Sequence, residues 1–131
     1  MDFAQELIQS QGHGCYESLS CNDLPAFFLA YLSDPSDSGK IHSTVRQRFD
    51  KGETEVVEAM RTFADLTTKA KAAIEGGDWL LFSDLMRQNF ELRRVIYGEP
   101  CLGAENLRMV ELGSEFGAAC KFPGNLGIIV N

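Results

Sequence analysis

Features that announce chemistry by themselves are scarce in this sequence. The four cysteines, Cys15, Cys21, Cys101 and Cys120, form no CxxC pair, and neither His13 nor His42 stands at ligand spacing to them. A zinc site has no support in that pattern. Without a signal peptide or a dense cysteine framework, the thiols read as reduced. Basic residues are also short, with 12 Lys and Arg against 19 Asp and Glu, a formal net charge of −7. That balance excludes nucleic acid as a partner, because backbone recognition needs a cationic surplus on one face. A small anion such as ATP stays allowed, since a few local cations and oriented amides outweigh net charge at short range. No basic n-region opens the chain and no apolar run is long enough to span a bilayer, so no membrane role and a cytoplasmic location are expected. Internal repeats and low-complexity tracts are absent.

What is present is a globular composition. Apolar residues make up 44% of 131 positions, enough for one domain over residues 1–131 with its own core. The run Ala26–Leu32, AFFLAYL, predicts a short buried strand, and Ser33–Gly39 predicts a loop from its Ser, Asp, Pro and Gly content. A short helix is expected over about Ile41–Phe49. Asp50 and Glu53 have the spacing of a capping box before a helix whose stripe is Val56, Met60, Phe63, Thr67, Ala70 and Ile74, ended by Gly76 and Gly77. A second long helix runs over about Asp78–Ile96, capped by Asp78 and buried through Leu81, Leu85, Leu92 and Val95. A third covers about Ala104–Phe116, with Leu107 and Val110 inward and Gly117 closing it. Ala118–Phe122 and Ile128–Val130 then read as strands about a turn at Pro123–Gly127. The class is α+β, with helices packed on a small antiparallel sheet. The bare apolar ending IIVN, and a start without a polar tail, suggest a piece of something larger, with the sheet incomplete at the C-terminus.

Five stretches carry a resemblance: Met1–Phe3 with His13, Gly14 and Tyr16; DPSDSGKIHSTVRQRF at Asp34–Phe49; LMRQNFELRR at Leu85–Arg94; CLGAENLRMVE at Cys101–Glu111; and GAACKFPGNLG at Gly117–Gly127. Together they resemble the C-terminal half of plant-type glucuronokinases, in the galactokinase/homoserine kinase/mevalonate kinase (GHMP) superfamily. The resemblance covers nearly the whole chain. It implies the GHMP-kinase C-terminal domain fold and transfer of phosphate from ATP, accompanied by Mg2+, to the anomeric hydroxyl of D-glucuronate. A nucleotide and a small sugar acid are then the partners. The family's Pro-x-x-x-Gly-Leu-x-Ser-Ser phosphate loop and its aspartate have no counterpart in these 131 residues. The resemblance thus implies a segment inactive alone, with no catalytic residue of its own. The alternative is a non-catalytic interaction module derived from such a kinase.

The superfamily's third motif, a glycine-rich turn beside the phosphates, corresponds to Lys121, Phe122, Pro123, Gly124, Asn125, Leu126 and Gly127. Lys121, Gly124, Asn125 and Gly127 are therefore the ATP or phosphate candidates, glycine allowing backbone amides to approach phosphate closely. Pro123 stands where the motif has threonine, and Leu126 where it has glycine. Read without the resemblance, the stretch is an ordinary strand–turn–strand. Arg93 and Arg94 are candidates for the carboxylate of a uronic acid, which arginine matches bidentately; the bland reading makes them solvated helix residues pairing with Glu91. Arg46 and Arg48, with Ser36, Ser38 and Lys40, form a polar cluster without an assignable role. Asp34 and Asp37 fit turn chemistry as well as metal binding, and the turn is favoured, leaving no metal ligands. His13 and His42 face no nucleophile or carboxylate in the sequence pattern and read as surface or structural residues.

Overall fold

Helices dominate the computed structural model, which describes residues 5–19, 24–31, 39–122 and 127–130. In chain order the elements are α1 (Gln5–Gln11), β1 (Phe27–Ala30), α2 (Gly39–Asp50), α3 (Thr54–Gly76), α4 (Trp79–Tyr97), α5 (Glu99–Leu102), α6 (Ala104–Glu115), β2 (Ala119–Lys121) and β3 (Gly127–Val130). The α+β class holds. α1 and α5 were not expected, because α1 buries no side chain and so shows no apolar period, while α5 is a single turn with Pro100 near its start.

The centre of the molecule is the α3–α4 pair. Gly77 ends α3 in the left-handed conformation, φ 67°, which glycine adopts without a Cβ penalty. Asp78 then opens α4 by accepting a hydrogen bond from the Leu81 amide at 3.0 Å, a cap whose loss to alanine costs about 1 kcal/mol. Across the pair, Leu66 and Ala73 of α3 pack against Leu85 of α4, while Val56 and Ala59 meet Ile96 and the Val45 side chain of α2. Arg48 binds α2 to the end of α4: its Nη1 donates to the Ile96 carbonyl at 3.1 Å, and its Nε meets Glu53 at 2.7 Å.

Those contacts correct two expectations. Glu53 precedes α3 without a side-chain cap, and Asp50 closes α2 in an ion pair with Arg46 at 2.9 Å, so the two are not a capping box. The buried positions of α4 are Leu85, Met86, Phe90 and Ile96, whereas Leu81 and Val95 are exposed. α4 has neighbours on two sides, α3 and β2, and a helix so placed buries an arc wider than one stripe. In α3 Val56 is fully buried and Met60, Phe63, Ala70 and Ile74 are half-buried, but Thr67 is exposed, its hydroxyl bonding the Phe63 carbonyl.

The strands form one antiparallel sheet in the order β1-β3-β2, with Phe27 opposite Val130 and Ala119 opposite Val130 on the other side. β1 departs from the expected buried strand: Phe27, Phe28 and Leu29 are all exposed. Its alternate side chains part company. Phe27 meets Phe82 of α4 edge-on at 6.2 Å, whereas Phe28 and Ala30 turn to α6. On the other edge, Ala119 of β2 packs on Met86 of α4, and Phe122 joins Phe90 and Leu102 in a further core cluster.

Candidate functional site

The alternation of β2 decides where its lysine goes. Ala119 lies against α4, so Lys121, two residues on, shares that face. Its side chain is half-buried and its ammonium donates to the Phe122 carbonyl at 3.1 Å. Burial holds the ammonium pKa below the usual lysine range, and the positive charge of Arg93 lowers it further. A second cation therefore stands beside the first.

The same reasoning places Arg93. Successive residues of an α-helix are rotated by about 100°, which sets Arg93 inside the arc defined by Leu85, Met86, Phe90 and Ile96, and Arg94 beyond it. Arg93 is half-buried, its guanidinium carbon 5.2 Å from the Tyr97 ring centroid and 5.6 Å from that of Phe122. Cation–π contact with these rings restrains the guanidinium and is worth about 0.5–2 kcal/mol. Phe122 is itself held by Phe90 at 5.8 Å between centroids. Phe122 thus links the two cations: its carbonyl accepts from the Lys121 ammonium, and its buried ring lies 5.6 Å from the Arg93 guanidinium carbon.

Arg94 goes elsewhere. It is exposed and pairs with Glu99 at 2.9 Å and Glu91 at 3.5 Å. The two arginines do not form a common fork, and the helix-surface reading fits Arg94. Gly124 and Asn125 lie outside the described residues; Gly127 is the first residue of β3. Asp34, Asp37, Ser36 and Ser38 also lie outside them, as do the side chains of Lys40 and His42. Arg46 and Arg48 are engaged by Asp50, Glu53 and Glu55. His13 is exposed, its Nδ1 3.0 Å from the Gly14 carbonyl. Cys15 and Cys120 are free thiols, and burial pushes the Cys120 pKa up while the charge of Arg87 opposes it. Among the described residues no group of three or more His, Cys, Asp or Glu stands together to hold a metal ion.

Sequence reasoning missed a second feature, an open apolar groove of about 350 Å³ lined by Phe28, Ala30, Met109, Leu112, Phe116 and Ala118. Phe116 is 83% exposed and Phe28 57%, so large apolar surface faces outward on both sides of it. The pattern in α6 that signals it is Met109, Leu112 and Phe116 at helical spacing, outside the Leu107–Val110 ridge turned to the core.

No helix among the described residues is long and apolar enough to cross a membrane. No protein-family model matches the chain, and no solved structure matches it significantly. Two curated proteins of Arabidopsis thaliana do. The chain is 42% identical over 130 residues to probable glucuronokinase 2 and 40% identical over 130 residues to glucuronokinase 1. In both cases the match covers 99% of this chain and 36% of the relative, so the chain spans about a third of their length. Over nearly all of its own length, the chain is thus similar to about a third of each of these two glucuronokinases.

Proposed function

We propose that residues 1–131 are a GHMP-kinase C-terminal-type domain serving an ATP-dependent sugar-1-kinase that acts on D-glucuronate. The observation that carries this reading is the 42% identity over 99% of the chain. The geometry supports it with two cations beside the Lys121–Gly127 stretch, where the resemblance puts nucleotide phosphate. In the reaction the bond from the γ-phosphorus to the bridging oxygen of ADP breaks, and a bond from that phosphorus to the anomeric oxygen forms. The hydroxyl proton passes to a base. Phosphoryl transfer of this kind runs on positioning and charge stabilisation rather than covalent protein chemistry. In this reading the segment's own contribution is positive charge for the transferred phosphate, from Lys121 with Arg93 near it. The resemblance assigns the phosphate loop and the base to a part of such a kinase outside these 131 residues.

The test is a pair of assays for sugar 1-phosphate, with ATP, magnesium and glucuronate. The 131 residues alone give no turnover above background. Joined to the unmatched remainder of the Arabidopsis relative, they restore it, whereas a folded fusion that stays inactive overturns the reading. The groove between β1 and α6 favours a second reading, a non-catalytic module that docks on an intact kinase. Solution mass with and without the relative separates the two, because a monomer unaffected by the relative counts against docking.

A further inference from the structure

We infer that Arg93 and Lys121 together form one binding site for a phosphoryl oxyanion, and that Arg94 has no part in it. The two side chains come from different elements, α4 and the end of β2, and converge because Phe122 packs on Phe90 while its ring also carries the Arg93 guanidinium. Among the described residues the Lys121 ammonium has one hydrogen bond, to the neighbouring carbonyl of Phe122, and no carboxylate. Contrast Arg94, Arg48 and Arg108, each of which meets two carboxylates. In a chain of net charge −7, acidic partners are plentiful, yet this lysine stands beside a cation instead. An anion beside the Lys121 ammonium would meet that charge directly and lie on the side of Phe122 that also carries the Arg93 guanidinium. A guanidinium held against two rings loses little freedom when it binds, and an ammonium adds a point charge. A phosphoryl group, with three oxygens and more than one negative charge, can engage both cations; a carboxylate is filled by the arginine alone.

This deepens the kinase reading by moving Arg93 from the sugar acid to the phosphate, but its geometry stands without turnover. The experiment therefore reads binding. The 131-residue chain is titrated by NMR or calorimetry with inorganic pyrophosphate, inorganic phosphate, ATP and glucuronate, at low salt because screening weakens such sites. Pyrophosphate and ATP are expected to bind saturably and to compete with each other. Lys121→Met and Arg93→Met each weaken binding about tenfold or more, the loss expected of a charge-assisted contact, while Arg94→Met changes it less than about twofold. Lys121→Arg keeps the charge and retains most of the affinity. Circular dichroism and melting of each variant show that it is folded; should Arg93→Met unfold, Arg93→Lys, which keeps charge without the stacked plane, takes its place and binds several-fold more weakly. Failure of pyrophosphate to bind overturns the inference. So does an Arg94→Met loss equal to that of Arg93→Met, or glucuronate binding that depends on Arg93 and is not displaced by pyrophosphate. Inorganic phosphate distinguishes the sources of the anion: competition with ATP shows a phosphoryl subsite that any phosphate fills. An inactive fusion with intact pyrophosphate binding sinks the kinase reading alone.

Discussion

The α3–α4 pair and the sheet divide the molecule into two regions with opposite balances of burial. In the helical pair, side chains such as Val56, Leu66, Ala73 and Leu85 are removed from water on both sides of the contact. In the sheet, β1 pairs with β3 about a hundred residues further along the chain and leaves Phe27, Phe28 and Leu29 exposed. The helical pair, joined by Val45 of α2, is the closed core. The sheet carries what a partner or ligand can use: the cationic corner at Lys121 on one edge and the apolar groove beside β1 on the other.

The largest effect that separates the regions is expected from a charge at Val56, which is fully buried. Val56→Asp places a carboxylate among Val45, Ala59 and Ile96, apolar side chains that cannot pair with it, and the cost of several kcal/mol is comparable with the whole stability of a domain this size. Loss of the helical circular dichroism signal is the expected outcome. Phe28→Ser on β1, a larger loss of apolar volume at a 57% exposed position, changes the unfolding free energy measured by urea titration by less than about 1 kcal/mol. A folded Val56→Asp protein, or an unfolded Phe28→Ser protein, breaks the division.

Phe122 sharpens it, because this residue belongs to both regions. Its ring is buried against Phe90 and Leu102 and carries Arg93 on its face. Phe122→Ala should cost about 3 kcal/mol of stability and, in whatever fraction stays folded, weaken pyrophosphate binding by releasing the guanidinium. Phe122→Leu restores much of the packing but not the ring face, so stability recovers further than affinity. Phe116→Ala, at an 83% exposed position of the groove, stays within about 0.5 kcal/mol of the parent and leaves anion binding unchanged. Equal losses of affinity in Phe122→Leu and Phe116→Ala count against the stacked arginine.

The same division explains what was legible in the sequence. The Gly77 turn and the Asp78 cap are local chemistry, read within four residues, and both stand in the structure. The Asp50–Glu53 spacing is equally local but was taken by ion pairs to Arg46 and Arg48, which lie on the preceding helix. The face of α4 is a tertiary property. One apolar stripe accounts for one neighbour, whereas α4 has two, so Leu81 and Val95 lie outside the buried arc and Arg93 lies within it. β1 was judged buried because an aromatic run reports apolar surface, not what covers it. For the candidate site, the resemblance points to Lys121, whereas its nearness to Arg93 depends on how β2 lies against α4, which no spacing along the chain contains.

The smallest expected effect is in the pH dependence of stability, and it again contrasts two neighbours on one strand. Burial, then the charge of Arg93, lowers the Lys121 pKa; burial raises that of Cys120 against the weaker pull of Arg87. For Lys121 the unfolded chain binds more protons between the depressed folded pKa and the ordinary lysine value. Stability from this group therefore rises as pH climbs through that window. For Cys120 the folded chain holds its proton longer, so its contribution is complete below the ordinary thiol value and is lost as pH rises through the folded one. The two slopes oppose each other in the alkaline range, about pH 8 to 11. Melting temperatures across that range isolate each by difference from the parent protein. Lys121→Met should fall more steeply with pH than the parent, and Cys120→Ala less steeply. Pyrophosphate adds a control on the corner itself, because an anion beside Lys121 favours the charged ammonium and raises its pKa. With pyrophosphate bound, the difference between parent and Lys121→Met slopes should shrink. If it does not change, the anion is not beside the lysine.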